Sequence, residues 1–448
     1  MSRAATRSLT IVIAVLVLLA ALATAAVVWL NQRGEDPLPA SPTPSANSGP
    51  GLDATPEPPN PDKLERGRYL TVVGNCMTCH TVRGGEPYAG GRNVDTPFGT
   101  VFSPNLTPDP DTGLGKWSSA QFWRALHNGR SRDGRLLYPA FPYPNYTRVN
   151  REDSDAMYAY LQTLPPVVQP NRPDTLRFPY NSQAALAVWR ALFFTPGASA
   201  EHDATKSAEW NRGAYLVQGL GHCNACHASR NAFGATAGNL DLSGGLIPVQ
   251  NWYAPSLNAL SQASVADWSI PEIMALLKVG VTAKGSVLGP MAEVVQGSTQ
   301  YLNEGDLRSM AVYLKELPVT PEPAPDSPVR TGAQEESTLA LGSKLHTEHC
   351  AQCHGDKGEG APNAYPPLAG NRAVTMDSAA NIIRIILAGG FPPATEGNPR
   401  PYGMQPFATV LNNDELAAVT SHIRTAWGNK GSVVTPLEVN RLRVGGER

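Results

Sequence analysis

The 448-residue chain has six cysteines, and each falls in a Cys-x-x-Cys-His unit: Cys76-Met-Thr-Cys79-His80, Cys223-Asn-Ala-Cys226-His227 and Cys350-Ala-Gln-Cys353-His354. Two thiols one helical turn apart can add to the two vinyl groups of one haem, and the adjacent imidazole then lies beneath the iron as proximal ligand. Three covalently bound haem c groups are therefore expected, with His80, His227 and His354 on the metal. Disulfides and structural zinc also use cysteine pairs. Neither explains a histidine directly after every pair.

A haem iron with a proximal histidine transfers electrons cleanly when a sixth ligand fills the other axial site, and a methionine thioether there raises the potential. Met291, in Leu288-Gly-Pro-Met291-Ala292, and Met404, in Pro401-Tyr-Gly-Met404-Gln-Pro406, lie in the same interval after the second and third motifs. Both are assigned as distal ligands. The first copy reads Leu137-Tyr-Pro-Ala-Phe141-Pro-Tyr143, and Phe141 cannot bind iron. Met157 pairs with Met310 when the closing helices are aligned, which makes it a core residue. His127 pairs with Lys278, a solvent position. Haem one is then five-coordinate or ligated from outside its own loop. His202, His222, His346, His349 and His422 have no repeat logic and read as exposed or supporting residues.

These ligands must be positioned by repeated elements. Each motif is followed by a Pro-x-Leu step (Pro104-Asn-Leu106, Pro255-Ser-Leu257, Pro366-Pro-Leu368) and then by a middle helix: Trp117–Gly129, Trp268–Gly280 and, more loosely, Ser378–Gly390. Closing helices follow at Asp153–Pro165, Asp306–Pro318 and Asp414–Gly428, with apolar residues at helical period. The expected boundaries are 62–168, 206–319 and 335–430 for the three modules, with a connector over 169–205 that carries a helix at Ala184–Phe194. A Pro-rich linker at 320–334 predicts looser attachment of module three. The tail at 431–448 has too few apolar residues at helical spacing for a second membrane contact.

Leu9–Leu30 is a 22-residue stretch without charge, preceded by Arg3 and Arg7. It is long enough to span a bilayer as a helix, with residues 1–33 starting in the cytoplasm and the haem modules in the periplasm. A cleaved signal peptide ending near Ala21-Leu22-Ala23 is the competing reading. The uncleaved inner-membrane anchor is favoured because the apolar run continues to Trp29 and Leu30. Residues 34–61 are rich in Pro, Ser and Gly, which predicts a disordered tether that holds the folded part off the membrane. A net charge of -2 argues against nucleic acid as a partner, and 41 Gly with 41 Pro predict loop-rich modules. There is no dinucleotide loop, zinc-protease helix, phosphate loop or nucleophile elbow.

Taken together, the residues resemble the triheme cytochrome c subunits of membrane-bound bacterial dehydrogenases that oxidise alcohols, sugars, sugar acids or aldehydes in the periplasm. The resemblance runs from Leu64 to about Asn429 and is carried by Thr96–Ser118, Gly221–Ala228, Gly289–Asn303, Tyr365–Arg372 and Trp427-Gly-Asn429. It implies a mainly α fold of three tandem class I cytochrome c domains. The chain would be no enzyme on its own. It implies a large catalytic partner with flavin, pyrroloquinoline quinone or molybdenum, optionally a small subunit, and ubiquinone or a terminal oxidase as acceptor. Alcohol and gluconate members have methionine where this chain has Phe141. The Phe form is more similar to cytochromes that serve molybdenum hydroxylases. A peroxidase-like enzyme using an open first haem and a free-standing electron shuttle are the alternatives.

Overall fold

A computed structural model describes residues 3–35, 60–197, 202–236, 241–320 and 332–444. Helix α1 (Arg3–Gln32) contains a 23-residue apolar stretch, Thr10–Gln32, long enough to cross a bilayer. Its side chains from Ile11 to Leu22 face outward with no protein against them. The far end of α1 is tied down. Asn31 donates to the Ala187 carbonyl (2.8 Å) and accepts from Arg190 (3.0 Å) and Arg130 (2.8 Å). Asn128 donates to the Gly34 carbonyl (2.7 Å), and Arg130 pairs with Glu35 (2.5 Å). The expected stand-off from the membrane is thus corrected: the first module and the connector grip the helix end directly. The Pro-rich residues 36–59 lie outside the described residues.

Module one is built from α2 (Pro61–Val73), the hairpin β1 (Asn93–Thr96) and β2 (Gly99–Phe102), α3 (Ser119–Asn128) and α4 (Arg151–Leu161). The connector forms α5 (Gln183–Phe193), one residue earlier than expected. Module two contains α6 (Ala208–Tyr215) and hairpins β3 (Gly245–Ile247) with β4 (Trp252–Ala254) and β5 (Val281–Thr282) with β6 (Gly285–Ser286). It adds α7 (Ile270–Val279), α8 (Pro290–Gly297) and α9 (Glu304–Lys315). Module three has α10 (Ala333–His349), α11 (Ala380–Ala388), α12 (Asn413–Thr425) and α13 (Pro436–Val444). Side-chain caps start the helices where the sequence provides them. Ser118 and Ser269 form capping boxes on α3 and α7, and Asn150, Asn303 and Asn412 cap the closing helices α4, α9 and α12.

In every module the helix before the haem motif crosses the closing helix at a glycine. A Cβ on Gly67, Gly213 or Gly342 would lie 1.9, 2.0 or 2.1 Å from the carbonyl oxygen of Ala156, Ser309 or Ala418. Only a bare backbone permits that approach, so these crossings fix where each motif begins.

Modules one and two share one continuous apolar core, whereas module three has its own. Sequence explains the difference. The first two motif helices carry Arg66-Gly67-Arg68-Tyr69 and Arg212-Gly213-Ala214-Tyr215; the third carries Leu341-Gly342-Ser343-Lys344. Arg66 pairs with Asp153 (2.5 Å) in its own module, and Tyr215 of module two donates to that carboxylate (2.6 Å). Reciprocally, Arg212 pairs with Asp306 (2.7 Å) and Tyr69 of module one donates to it (2.7 Å). In module three the corresponding acid, Glu415, caps its own helix through the Asn412 backbone N–H.

Burial alone would raise the Asp306 carboxyl, but hydrogen bonds from Arg212 and Tyr69 hold it below the usual carboxylate range. A lowered folded-state pKa contributes stability above the unfolded value and loses it as pH falls through the folded one. The unfolding midpoint of the module pair should therefore be steady near neutrality and drop below about pH 4. Asp306→Asn should lower the neutral midpoint and flatten that drop; an unchanged acid profile would refute the role given to this carboxylate.

Module three is not loosely held. Asn381 exchanges two hydrogen bonds with the Tyr253 backbone (2.7 and 2.8 Å), and Arg372 reaches the Ser264 carbonyl (2.5 Å) and Asp267 (2.6 Å). The linker length that suggested mobility does not decide docking, because these contacts lie far from it in sequence. The tail forms α13, which buries Val439 against α12, and Val434 just before it is buried too.

Candidate functional site

Each Cys-x-x-Cys-His unit forms about one helical turn, Cys76–Cys79, Asn224–His227 and Ala351–His354. Asn75 and His222, just before the first cysteine, take left-handed backbone conformations (φ 52° and 39°) that turn the chain out of the preceding helix. All six thiols are unpaired. Burial pushes the Cys76 and Cys223 thiols up to about 12 and Cys350 up to about 11. Among the described residues no group of three His, Cys, Asp or Glu side chains comes together as a metal cluster.

The three motif histidines have the same kind of partner. His80 Nδ1 lies 2.8 Å from the Pro104 carbonyl, His227 Nδ1 lies 2.7 Å from Pro255, and His354 Nδ1 lies 3.1 Å from Pro366. A carbonyl can only accept, so Nδ1 carries the proton and Nε2 keeps its lone pair for iron. Burial pushes all three imidazoles below their ordinary value and keeps them neutral, although the carbonyl bond opposes this. The Pro-x-Leu steps noticed in the sequence are thus the groups that set each ring's tautomer. That role was not legible there, since nothing in the spacing says which backbone atom meets the ring.

On the distal side, backbone register makes the loops comparable. Leu137 N–H donates to the Gly129 carbonyl and Val287 N–H to Gly280 (2.8 and 2.9 Å). Four residues beyond these points stand Phe141 and Met291. Phe141 therefore occupies the methionine position of module one. It packs on the Tyr146 ring (5.3 Å) and near Tyr143 (6.4 Å). Met291 opens α8, and Met404 is held by paired backbone bonds with Gly390 (2.8 and 3.0 Å). Met157 is 2% exposed within the core, and His127 stacks on Trp123 (4.4 Å). His202 is exposed. His346 is buried against Trp427 (4.8 Å) and His422 (5.7 Å), the supporting and not the exposed alternative.

A single cavity of about 730 Å³ runs from Cys223, Cys226, His227 and Met291 to Cys350, His354 and Met404. The second and third sites open into one another. At the junction of the first two, the Tyr146 ring meets His222 edge-on (5.6 Å) and its hydroxyl donates to the Gly74 carbonyl (3.2 Å). The Cys226 thiol is pushed up by burial and further by Cys79 across the interface. Donor set, tautomers and cavity fit covalently held haem.

The cytochrome c family model matches residues 64–165 and 339–427; the motif at Cys223 lies between the two matched segments. The cytochrome c subunit of the quinone alcohol dehydrogenase of Gluconobacter oxydans is 36% identical over 86% of this chain and 82% of its own length. The gluconate 2-dehydrogenase cytochrome c subunit of Pantoea cypripedii is 33% identical, over 85% of this chain and 89% of the relative. A nicotinate dehydrogenase subunit of Pseudomonas putida is 42% identical over 81% of this chain, a match that covers 30% of that longer protein.

Proposed function

Because the chain belongs to the cytochrome c family, among the electron-transfer subunits of dehydrogenase complexes, we propose that it holds three haem c groups in tandem cytochrome c domains and relays electrons between a catalytic subunit and the membrane. The observation that carries this reading is the threefold recurrence of a cysteine pair, a histidine whose Nδ1 is bonded to a proline carbonyl, and a glycine helix crossing. When bound, haem c supplies one-electron iron chemistry at each site. The residues of the chain do the rest. Cys76 with Cys79, Cys223 with Cys226, and Cys350 with Cys353 form the thioethers. His80, His227 and His354 would hold the iron through Nε2, and Met291 and Met404 would offer thioether sulfurs as further ligands. The apolar walls exclude water and so would favour the less charged state of a bound haem.

Contacts order the relay. Module one grips the end of α1, module two shares its core, and module three opens its cavity into module two. The membrane acceptor, ubiquinone or an oxidase, is therefore met from module one and the catalytic partner from module three. α1 is read as a retained span with the modules in the periplasm, since the contacts that Asn31, Gly34 and Glu35 make would lose their covalent link to the membrane on cleavage near residue 23. A molybdenum-hydroxylase type partner is favoured over flavin or pyrroloquinoline quinone types by Phe141 and supported by the 42% identity to a protein named for an N-heterocyclic substrate.

Gentle detergent extraction of the tagged protein tests the assignment: a stoichiometric large subunit with bound molybdenum is expected. Recovery of a lone cytochrome after cross-linking in membranes would overturn the partner. Phe141 also makes a local prediction. With no side-chain ligand in that loop, the reduced protein should bind carbon monoxide at one of its haems, and Phe141→Met should abolish that binding. No carbon monoxide spectrum in the parent protein would mean a sixth ligand from elsewhere.

A further inference from the structure

We propose that the connector helix α5 and the aromatic side chains around it lie in the headgroup layer of the membrane, as a second contact beside α1. This rests on reading α1 as a retained membrane span. Beyond Gln183 at its start, whose amide is bonded to the Leu136 backbone (2.8 and 3.2 Å), the outward positions of α5 are Ala184, Val188 and Leu192, four residues apart and so one above another on a single face. These three are apolar; Leu192 is 68% exposed and Val188 46%. A helix facing water would carry polar residues there. The only charge on α5, Arg190, is turned inward, 3% exposed, bonded to Asn31 and set against the Tyr143 and Phe194 rings.

The surface widens beside the helix. Phe178 is 83% exposed and Phe233 58%. Phe233 stacks on Phe193 (5.9 Å), Phe193 lies near Trp189 (5.7 Å), and Trp189 Nε1 donates to the Phe233 carbonyl (2.9 Å). Trp189 carries a polar handle, its Nε1, on a wide apolar body, and the phenylalanines add apolar area around it, a combination suited to the boundary between lipid and water.

Lipid is the occupant because the patch continues the outward face of α1. The Ala187 carbonyl on α5 is bonded to Asn31, two residues past Trp29. Trp29 is 63% exposed and has the Arg33 guanidinium 5.3 Å from its ring, a pairing suited to headgroup depth. Ala184 to Leu192 spans about 12 Å at the helical rise, so the whole stripe fits within that layer. A shallow helix of this kind would also fix how module one is turned toward the membrane, which a single span cannot do.

The test places a photocrosslinking benzoylphenylalanine in the full-length, haem-loaded protein in native membranes, at Leu192, at Leu19 in α1 and at the exposed Glu152 of α4. After irradiation, peptides are searched by mass for phospholipid adducts. Adducts at Leu192 and Leu19, with none at Glu152, are expected. Lipid at Leu19 with only a protein partner or no adduct at Leu192 overturns the proposal and leaves the anchor standing. No lipid at Leu19 removes the anchor reading itself, and the proposal with it.

Discussion

Replacing Cys223 and Cys226 together by serine should leave a chain with two covalent haems where the parent has three, read as a fall to two thirds in haem per chain and a matching loss of mass. The pair is the only cysteine pair of module two, so no other thiol there can capture the vinyl groups. The expected loss extends beyond one cofactor. His227 and Met291 line the same cavity as His354 and Met404, so the third site loses its neighbour and the path from module three to module one is cut at its middle. Quinone-linked turnover of the complex should fall to near background while modules one and three keep their haem spectra. Cys226→Ser alone is the milder control. One thioether and one unreacted vinyl group remain, so that haem stays attached with its visible band shifted. Three haems in the double variant would show that the second motif is not an attachment site.

The motif residues were legible because covalent attachment demands fixed residue types at fixed spacing, and that demand survives in sequence wherever the module sits. Helix positions were legible for a similar reason: α3, α7 and α11 lie within the expected stretches, shortened by caps at Ser118 and Ser269. What the sequence did not reveal was contact between distant segments. Tyr69 and Tyr215 look like ordinary helix residues until each reaches a carboxylate of the other module. The missing arginine at Leu341 and the missing tyrosine at Lys344 were a usable signal that module three docks differently, but only a comparison of all three motif helices exposes it. The linker and the Pro-rich segment misled for the opposite reason. Composition reports the freedom of those residues, and says nothing about Arg372, Asn381 or Asn31, whose hydrogen bonds hold the flanking parts in place. The proline carbonyls at 104, 255 and 366 lie between these cases: the repeat was visible, its purpose was not.

Met404→Leu should lower the potential of one haem by on the order of 0.1–0.2 V, a modest part of the ~0.8 V that axial ligation spans. For a one-electron couple, 59 mV is a tenfold change, so the oxidised form of that haem would be favoured by about two to three decades. Leucine nearly conserves the volume of methionine, which limits the packing cost and leaves loss of the thioether as the main change. The backbone bonds between residue 404 and Gly390 do not depend on the side chain, so the loop should keep its shape. Met291→Leu should produce the same shift in the second haem. Because both sites open into one cavity, oxidised iron at one raises the cost of oxidising the other, and each substitution should also move its neighbour's apparent potential slightly. A spectroelectrochemical titration separates the cases: in each variant one component should drop by the large amount, and the sulfur-to-iron charge-transfer band of the ferric protein should lose about half its intensity, with covalent haem content unchanged. The double variant should lose the band entirely, since Phe141 supplies no sulfur to the first site. If either single substitution leaves potential and band unmoved, that methionine is a packing residue and its haem is ligated from another loop.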